Sequence, residues 1–383
     1  MRVLWFGTYS VGTGYPRNTV LMDALRAVGV EVKTCHAPLF RGAADKVAAA
    51  STRVGLVRFG LSALRAWTRL ALGFCTAGPH DAVVVGYTGH VDLYLARLLS
   101  VFRRRPLVLD AFLSPYDTVV ADRRLLKEGS VAARALFRLE KTALRLADLV
   151  LTDTQANADF MAETFRIPRE RFAPIPVGSL VRAPVRARVP VPAGGGEDGP
   201  PPFRVFFCGS FVPLQGVSYI LDAAAQAPDL HFEIAGDGPD GPAVAREVEA
   251  RAMENVRLDR RFLPRADMEE RLAQADAVLG VFGATPKSCR VIPCKVYDGL
   301  AAGLPVVTGD GAGPAELLTD GRDALLVDRR RPASLVAALR RLRDEPGLAE
   351  TLRTGARRLA RERFGEGAIG MRLKAALARV VRR

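Results

Sequence analysis

Three cations fall within nine positions of the segment KSCRVIPCKVYDGLAAGLPVV (287–307): Lys287, Arg290 and Lys295, with one carboxylate, Asp298, just beyond. Pro293 suits the first turn of a helix, and Gly303 followed by Pro305 suits its end. The spacing therefore predicts a short helix with its cations gathered at the N-terminus. That end of a helix already carries partial positive charge, so cations there are unfavourable unless an anion is bound. Local rule-breaking of this kind is expected at functional sites. Cations and helix dipole together suit a diphosphate. Asp298, one turn inside, can accept hydrogen bonds from adjacent hydroxyls such as a ribose diol. The chemistry implied is binding of a nucleoside diphosphate; the alternative is a solvated, charged helix start.

Other turns carry weaker signals. Gly209 closes the apolar run FRVFFCG, and SFVPLQG then leads into a helix, where glycine exposes backbone N–H groups that suit a phosphate. An ordinary strand-to-helix turn looks the same. Gly236, in GDGP, leaves room for a flat ligand or simply makes a turn. In the first half, Arg17 in GYPRN, His90 in GYTGHVD and Asp110 in LDAFLSPYD lie at or after strand ends, where they are candidates for a second substrate. A lone histidine is more often structural, an aspartate there can cap a turn, and a cation near a Gly-rich turn can serve phosphate.

The elements that must position these residues alternate. Residues 2–7 read as a strand, then come a helical pattern at VLMDALRAVG and a strand at VEVKTCHAP; AVVVGY (82–87), PLVLDAF (106–112) and ADLVLTDT (147–154) follow with helices between. After residues 181–202, rich in Pro, Gly and charge, the alternation restarts at 203–209 and continues through LHFEIAG (230–236), NVRLD, AVLGVFG (277–283), LPVVTGD and ALLVD (324–328). Nearly all-apolar strands alternating with helices indicate parallel sheets covered on both faces. The expected organisation is α/β: a doubly wound domain at 1–180, a linker at 181–202, a second doubly wound domain at 203–360, and a helical segment at 361–383 packing back toward the first. Ligands of such sheets bind beyond the carboxyl ends of the strands, so a cleft between two such domains is the expected site.

Composition sets the remaining bounds. The 383 residues exceed what one core usually serves. Net charge is +14, with 24 Lys/Arg and 15 Asp/Glu up to Leu180 against 31 and 26 after it. A basic first half points to an acidic partner or to simple arginine bias; no motif or aromatic–basic interleaving points to nucleic acid. No apolar run approaches the roughly 20 residues of a membrane span, and the N-terminus does not read as a signal peptide, so a cytoplasmic location is expected. Five cysteines without a CxxC pair argue against a disulfide framework, and four scattered histidines give no metal-ligand spacing. Within 53–71, Arg58, Arg65 and Arg69 share one helical face and Leu56, Ala63, Trp67 and Leu70 the other. This is an ordinary surface helix, or one that lies peripherally on the inner face of an anionic membrane.

GSFVPLQGVSYILDAAAQ, HFEIAGDGP, NVRLDRRFLP and KVYDGLAAGLPVVTGDGAGPAELLTDGRDALLV, in that order, resemble the motifs of the retaining glycosyltransferases of family four, the glycosyl transferases group one. The resemblance spans nearly the whole chain, with ADLVLTDTQANADFM and IPVGS at the end of the first half. It implies the GT-B fold, two Rossmann-like domains facing each other across a cleft. It also implies a nucleoside-diphosphate sugar as donor and, as acceptor, a hydroxyl of a lipid-linked glycan, polysaccharide or small natural product. No cofactor, metal or catalytic base is implied, because the leaving phosphate of such enzymes is thought to accept the acceptor's proton.

By resemblance, Asp298 takes the place of the family's ribose-binding glutamate. The backbone at Val291 and Ile292 faces the sugar, Phe262 and Leu263 line the base, and the turn Gly7–Gly14, with Gly12 and Gly14, closes over the diphosphate together with Gly209, Ser210, Gln215, Gly216 and Gly236.

The departures are specific. Where the family has a glutamate, seven residues and a glutamate, this chain has Arg290 and Asp298; the family's diphosphate-binding arginine and lysine fall on the neutral Ser210 and Gln215. Two cations are missing from one loop while three stand in another, so Lys287, Arg290 and Lys295 are expected to neutralise the leaving diphosphate in catalysis. Three alternatives remain: a decayed protein that binds sugar nucleotide without turnover, an epimerase on the same fold, which would need acidic residues about the sugar, and a dehydrogenase, for which Gly7, Gly12 and Gly14 have the wrong spacing.

Overall fold

The apolar run RVLWFG forms β1 (Arg2–Gly7), and Val3 to Phe6 are wholly buried. The computed structural model describes residues 1–11, 16–39, 53–101, 105–181 and 202–381. The candidates Gly12 and Gly14 and almost all of the expected linker, 182–201, lie outside them. The chain divides into two units: Met1–Pro176 with Glu366–Arg383, and Val177–Gly365.

In the first unit β1 is followed by α1 (Pro16–Ala27), β2 (Glu31–His36), α2 (Arg53–Thr76), β3 (Ala82–Val85), α3 (Asp92–Ser100), β4 (Leu107–Asp110), α4 (Val131–Leu146), β5 (Leu149–Thr152), α5 (Gln155–Phe165) and β6 (Phe172–Pro174). The strands pair in parallel in the order β2-β1-β3-β4-β5-β6. Ser130 and Thr154 start α4 and α5 by accepting the N–H of Ala133 and Asn157. β6 escapes sequence patterning because FAP is three residues long and ends in proline.

In the second unit come β7 (Arg204–Cys208), α6 (Val217–Ala225), β8 (His231–Ala235), α7 (Gly241–Ala250), β9 (Val256–Asp259), α8 (Arg265–Gln274), β10 (Ala277–Leu279), α9 (Cys294–Ala301), β11 (Val306–Gly309), α10 (Ala312–Ala315), β12 (Leu325–Val327), α11 (Pro332–Asp344) and α12 (Pro346–Leu359). The parallel order is β12-β11-β10-β7-β8-β9. Both sheets are parallel and helix-flanked, so each unit is a doubly wound α/β unit, as the strand and helix alternation suggests. A final helix, α13 (Glu366–Val381), belongs to the first unit: Lys374 Nζ donates to Val28 O at 3.0 Å, and Gly370 lies so close to Ala24 O that a Cβ would stand 2.1 Å from it.

An aspartate placed just before a strand recurs. Asp81, Asp148 and Asp276 accept the first N–H of the neighbouring strand at Arg2, Leu107 and Arg204, at 2.7, 2.7 and 2.8 Å. Each satisfies a donor that the ladder leaves unpaired at its amino edge.

Candidate functional site

In the second sheet the strand order reverses between β7 and β10, and the crevice beyond the carboxyl ends of such a pair is where ligands of open α/β sheets bind. The loops there are packed backbone to backbone, and glycine is what permits it. A Cβ on Gly236 (φ +134°) would lie 1.8 Å from Gly209 O; one on Gly216 (φ +67°) would lie 2.4 Å from Gly283 N. Phe282 N donates to Gln215 O and Gly283 N to Leu214 O, tying the loop after β10 to the loop after β7. The predicted Gly209, Ser210, Gln215, Gly216 and Gly236 thus lie on one edge of the sheet.

The segment 287–307 folds as its residues suggest, with one adjustment. Pro293 is the N-cap of α9 rather than part of its first turn. At the other end Gly303 (φ +71°) donates to Leu300 O and Leu304 to Gly299 O, the paired bonds of a Schellman stop. Lys295, in the first turn of α9, points across the crevice: its Nζ donates to Gln215 Oε1 at 2.6 Å and lies 3.5 Å from the centroid of the Phe207 ring. Gly209 makes room, because a Cβ there would be 2.5 Å from that Nζ. Among the described residues this ammonium has no carboxylate partner. Burial lowers its pKa to about 7, against weaker upward pulls from Cys208 and Cys294.

Lys287 is buried at 4% exposure, in a turn stitched by Ser288, which is itself wholly buried and donates to Gly283 O and Thr285 O. Arg290 N donates to Lys287 O, closing the same turn, and Cys289 O accepts from Gly313 N. A Cβ on Gly313 would lie 2.4 Å from Arg290 C, so the backbone leading into α9 is packed tightly. The side chains of Val291 and Ile292 are buried, which leaves only their backbone for a ligand; Phe262 is exposed and Leu263 half-buried.

Asp298 is partly buried and accepts from Ser179 Oγ at 2.5 Å. Burial raises its pKa to about 6, offset by that hydrogen bond and by Arg265. Ser179 has no chemical signature in sequence and was not anticipated. Neither was Arg329: 5% exposed, it donates to the carbonyls of Asp310, Val281, Gly283 and Gly309 and so ties together the carboxyl ends of β10 and β11.

In the first unit the residues expected to meet a second substrate are turned inward. Arg17 and Asp110 are paired with each other, Nε to both carboxylate oxygens at 2.8 and 2.9 Å, at 2% and 0% exposure. The remaining Arg17 nitrogens donate to Ile175 O and Thr152 O, and the guanidinium lies 4.9 Å from the Phe112 centroid. With each of its three nitrogens donating inside the unit, Arg17 is a buried staple of β4, β5 and the segment after β6, and Asp110 is its counter-ion. His90 is 3% exposed, and its Nε2 has no partner among the described residues; burial lowers its pKa to about 4. Asp92, which sequence reasoning passed over, organises the switch point of this sheet: it accepts from Thr8 N, Thr8 Oγ1 and Trp67 Nε1.

Helix α2 spans residues 53–76, and the side chains of 53–59, including Leu56 and Arg58, lie outside the described set. Ala66, Leu70 and Phe74 are buried and Trp67 reaches Asp92, so its apolar side packs on its own unit. Leu61, Leu64 and Leu72 are exposed on the other side, with Arg65 and Arg69. Among the described residues no helix is long and apolar enough to cross a membrane, and no group of three His, Cys, Asp or Glu is placed to hold a metal.

Comparison with known proteins places the family match in the second half of the chain and the structural likeness over nearly all of it. Residues 202–345 match the family model described as glycosyl transferases group 1. The lipopolysaccharide core biosynthesis glycosyltransferase LpsD of Rhizobium meliloti is 31% identical over 169 residues, covering 44% of this chain and 47% of that protein. The alpha-D-kanosaminyltransferase of Streptomyces kanamyceticus is 26% identical over 242 residues, 61% of each. The chain thus spans about half the length of the curated relatives it matches. Among solved structures, Anabaena HepE in complex with UDP-glucose superposes with a TM-score of 0.68 at 17% identity, covering 99% of this chain and all of that one. Sucrose-phosphate synthase from Thermosynechococcus elongatus gives 0.68 at 17%, over 99% and 98%. The chain therefore has the GT-B fold, and residues 202–345 of its second unit match the glycosyl transferases group 1 model.

Proposed function

We propose that this protein is a glycosyltransferase of family four. It moves a sugar from a nucleoside diphosphate to a hydroxyl acceptor with retention of configuration and without a bound metal. The observation that carries this reading is Lys295: an ammonium set at the switch-point edge against a carbonyl oxygen and an aromatic face, with no counter-ion among the described residues. A half-buried cation without a counter-ion is costly, and an anionic ligand offsets that cost. Asp298, one turn further along α9, is placed to accept the ribose hydroxyls.

In this reading the sugar C1–O bond breaks with its electron pair leaving on the diphosphate. The acceptor oxygen bonds to C1, and its proton passes to the departing phosphate. The protein's task is to stabilise negative charge that grows in the transition state, and we assign it to Lys287, Arg290, Lys295 and the N-terminus of α9. The first unit binds the acceptor through groups other than the satisfied Arg17 and Asp110. The acceptor class extends over lipid-linked glycans, polysaccharides and small natural products, as the differing names of the relatives suggest.

The neutral Ser210 and Gln215, and Arg290 in place of a glutamate, favour a second reading: a protein that binds sugar nucleotide without turnover. Release of nucleoside diphosphate from UDP-, GDP-, ADP- and dTDP-sugars, with a panel of hydroxyl acceptors, separates the two. Transfer by wild type that is abolished in folded Lys287→Ala and Lys295→Ala is the expected result. Undiminished turnover in both variants contradicts the assignment, and binding without any release supports the second reading.

A further inference from the structure

Gln215 and Lys295 come from opposite sides of the switch point, 80 residues apart, yet meet at 2.6 Å. Gln215 is held by its backbone, its N–H donating to Val212 O while its carbonyl accepts from Phe282 N; Gly216 follows in the left-handed region. Lys295 is fixed by the first turn of α9, by the Phe207 face beneath it, and by the absence of a side chain at Gly209. The amide oxygen of Gln215 therefore marks where an ammonium is wanted.

We propose that Gln215 is the positioning residue of Lys295, and that positions 215 and 295 act as one exchangeable pair in which either can supply the ammonium at this point of the crevice that meets the diphosphate. This deepens the reading above and rests on it. A lysine kept only for packing would not be set against a neutral carbonyl: the ammonium loses hydration and gains no counter-charge, whereas a methionine would fill the same space without that cost. The charged and titratable groups facing the ammonium are Cys208 on β7 and Cys294 on α9, with Asp298 next along α9 and Asp259 and Arg271 beyond Cys208. None of them ion-pairs with it. Because its pKa is lowered to about 7 in the empty site, an arriving diphosphate raises it again, and binding above pH 7 takes up a proton.

The test is titration calorimetry on the whole chain at pH 6.5, using whichever of UDP, GDP, ADP and dTDP binds wild type most tightly. Lys295→Gln is expected to weaken binding about 10- to 100-fold, the range of one charge-assisted hydrogen bond. The transposed variant Gln215→Lys/Lys295→Gln is expected to recover most of that loss. Proton uptake at pH 8, read from buffers of different ionisation enthalpy, is expected in wild type and absent in Lys295→Gln. A folded transposed variant no tighter than Lys295→Gln overturns the pairing while leaving the nucleotide-sugar reading intact. If the transposed variant does not fold, Gln215→Asn decides: weaker binding supports positioning, and unchanged binding overturns it. Wild type that binds none of the four nucleotides overturns both.

Discussion

At the scale of single residues, two perturbed groups on α9 predict an unusual pH profile. The carboxyl of Asp298, pushed up to about 6 chiefly by burial, must be ionised to accept ribose hydroxyls, so affinity is lost as pH falls through 6. The ammonium of Lys295, lowered to about 7 by burial, must be protonated to meet the diphosphate, so affinity is lost as pH rises past 7. Nucleotide affinity is thus expected to peak between about pH 6 and 7. Ser179→Ala, which removes the hydrogen bond that holds Asp298 down, should move the acid limb upward; calorimetry across pH 5–9 reads both limbs. The same lysine has the opposite effect on the empty fold. Its folded pKa lies below its unfolded value, so the unfolded state binds more protons between the two, and this group's contribution to stability increases as pH rises through 7.

Arg17 tells a different residue-scale story. Placed by sequence at the edge of the first sheet, it belongs instead to a buried pair with Asp110, 93 positions away. Removing one partner of such a pair leaves an uncompensated charge, at a cost of about 3–5 kcal/mol. Arg17→Ala should therefore lower the urea midpoint sharply, and a variant as stable as wild type would contradict the staple role.

At the scale of elements, the glycines of the switch-point loops separate into two kinds. At Gly236 a Cβ would strike the Gly209 backbone at a φ of +134°, so Gly236→Ala should destabilise the second unit. At Gly209 it would meet only the movable end of Lys295, so Gly209→Ala should weaken nucleotide binding with little change in melting temperature. Paired melting and binding measurements check both. Helix α2 makes a second prediction. Its buried face is occupied by its own unit, but Leu61, Leu64 and Leu72 with Arg65 and Arg69 form an exposed apolar and basic stripe. A stripe of this kind suits an anionic bilayer. Cosedimentation with vesicles containing phosphatidylglycerol should be strong at low salt and lost in Arg65→Glu/Arg69→Glu; equal sedimentation with neutral vesicles would contradict it.

Elements were legible where periodicity and punctuation agree. The run RVLWFG and the stop at Gly303 both formed as their residues suggest. β6 was not legible, because three residues ending in proline give no pattern. Of the candidate site, the short helix after Pro293 and its stop at Gly303 could be read from local spacing. The contacts Lys295–Gln215, Asp298–Ser179 and Arg17–Asp110 could not, since each joins residues 80 or more positions apart that only the sheet topology brings together. Arg329 was hidden for a further reason: its hydrogen-bond acceptors are backbone carbonyls, which carry no sequence signal.

At the scale of the whole molecule, two parallel sheets each have a switch point, and they are furnished differently. In the first unit Asp92 accepts three hydrogen bonds and Asn18 donates to Ser10 O and Tyr87 O, while His90 Nε2 has no partner among the described residues. In the second, Lys295 has no counter-ion among the described residues, and Asp298, three positions on, has a raised pKa. The proposed nucleotide is therefore placed in the second unit, beside Lys295 and Asp298. The most direct measurement is thermal stabilisation by UDP, GDP, ADP and dTDP, on wild type and on Asp298→Ala. A ligand at about a hundredfold its dissociation constant adds roughly 2.7 kcal/mol, a readily visible shift. The expected result is that one nucleotide stabilises wild type and fails to stabilise Asp298→Ala. Equal stabilisation of both proteins, or of neither, would contradict the placement of the nucleotide at the crevice between β7 and β10.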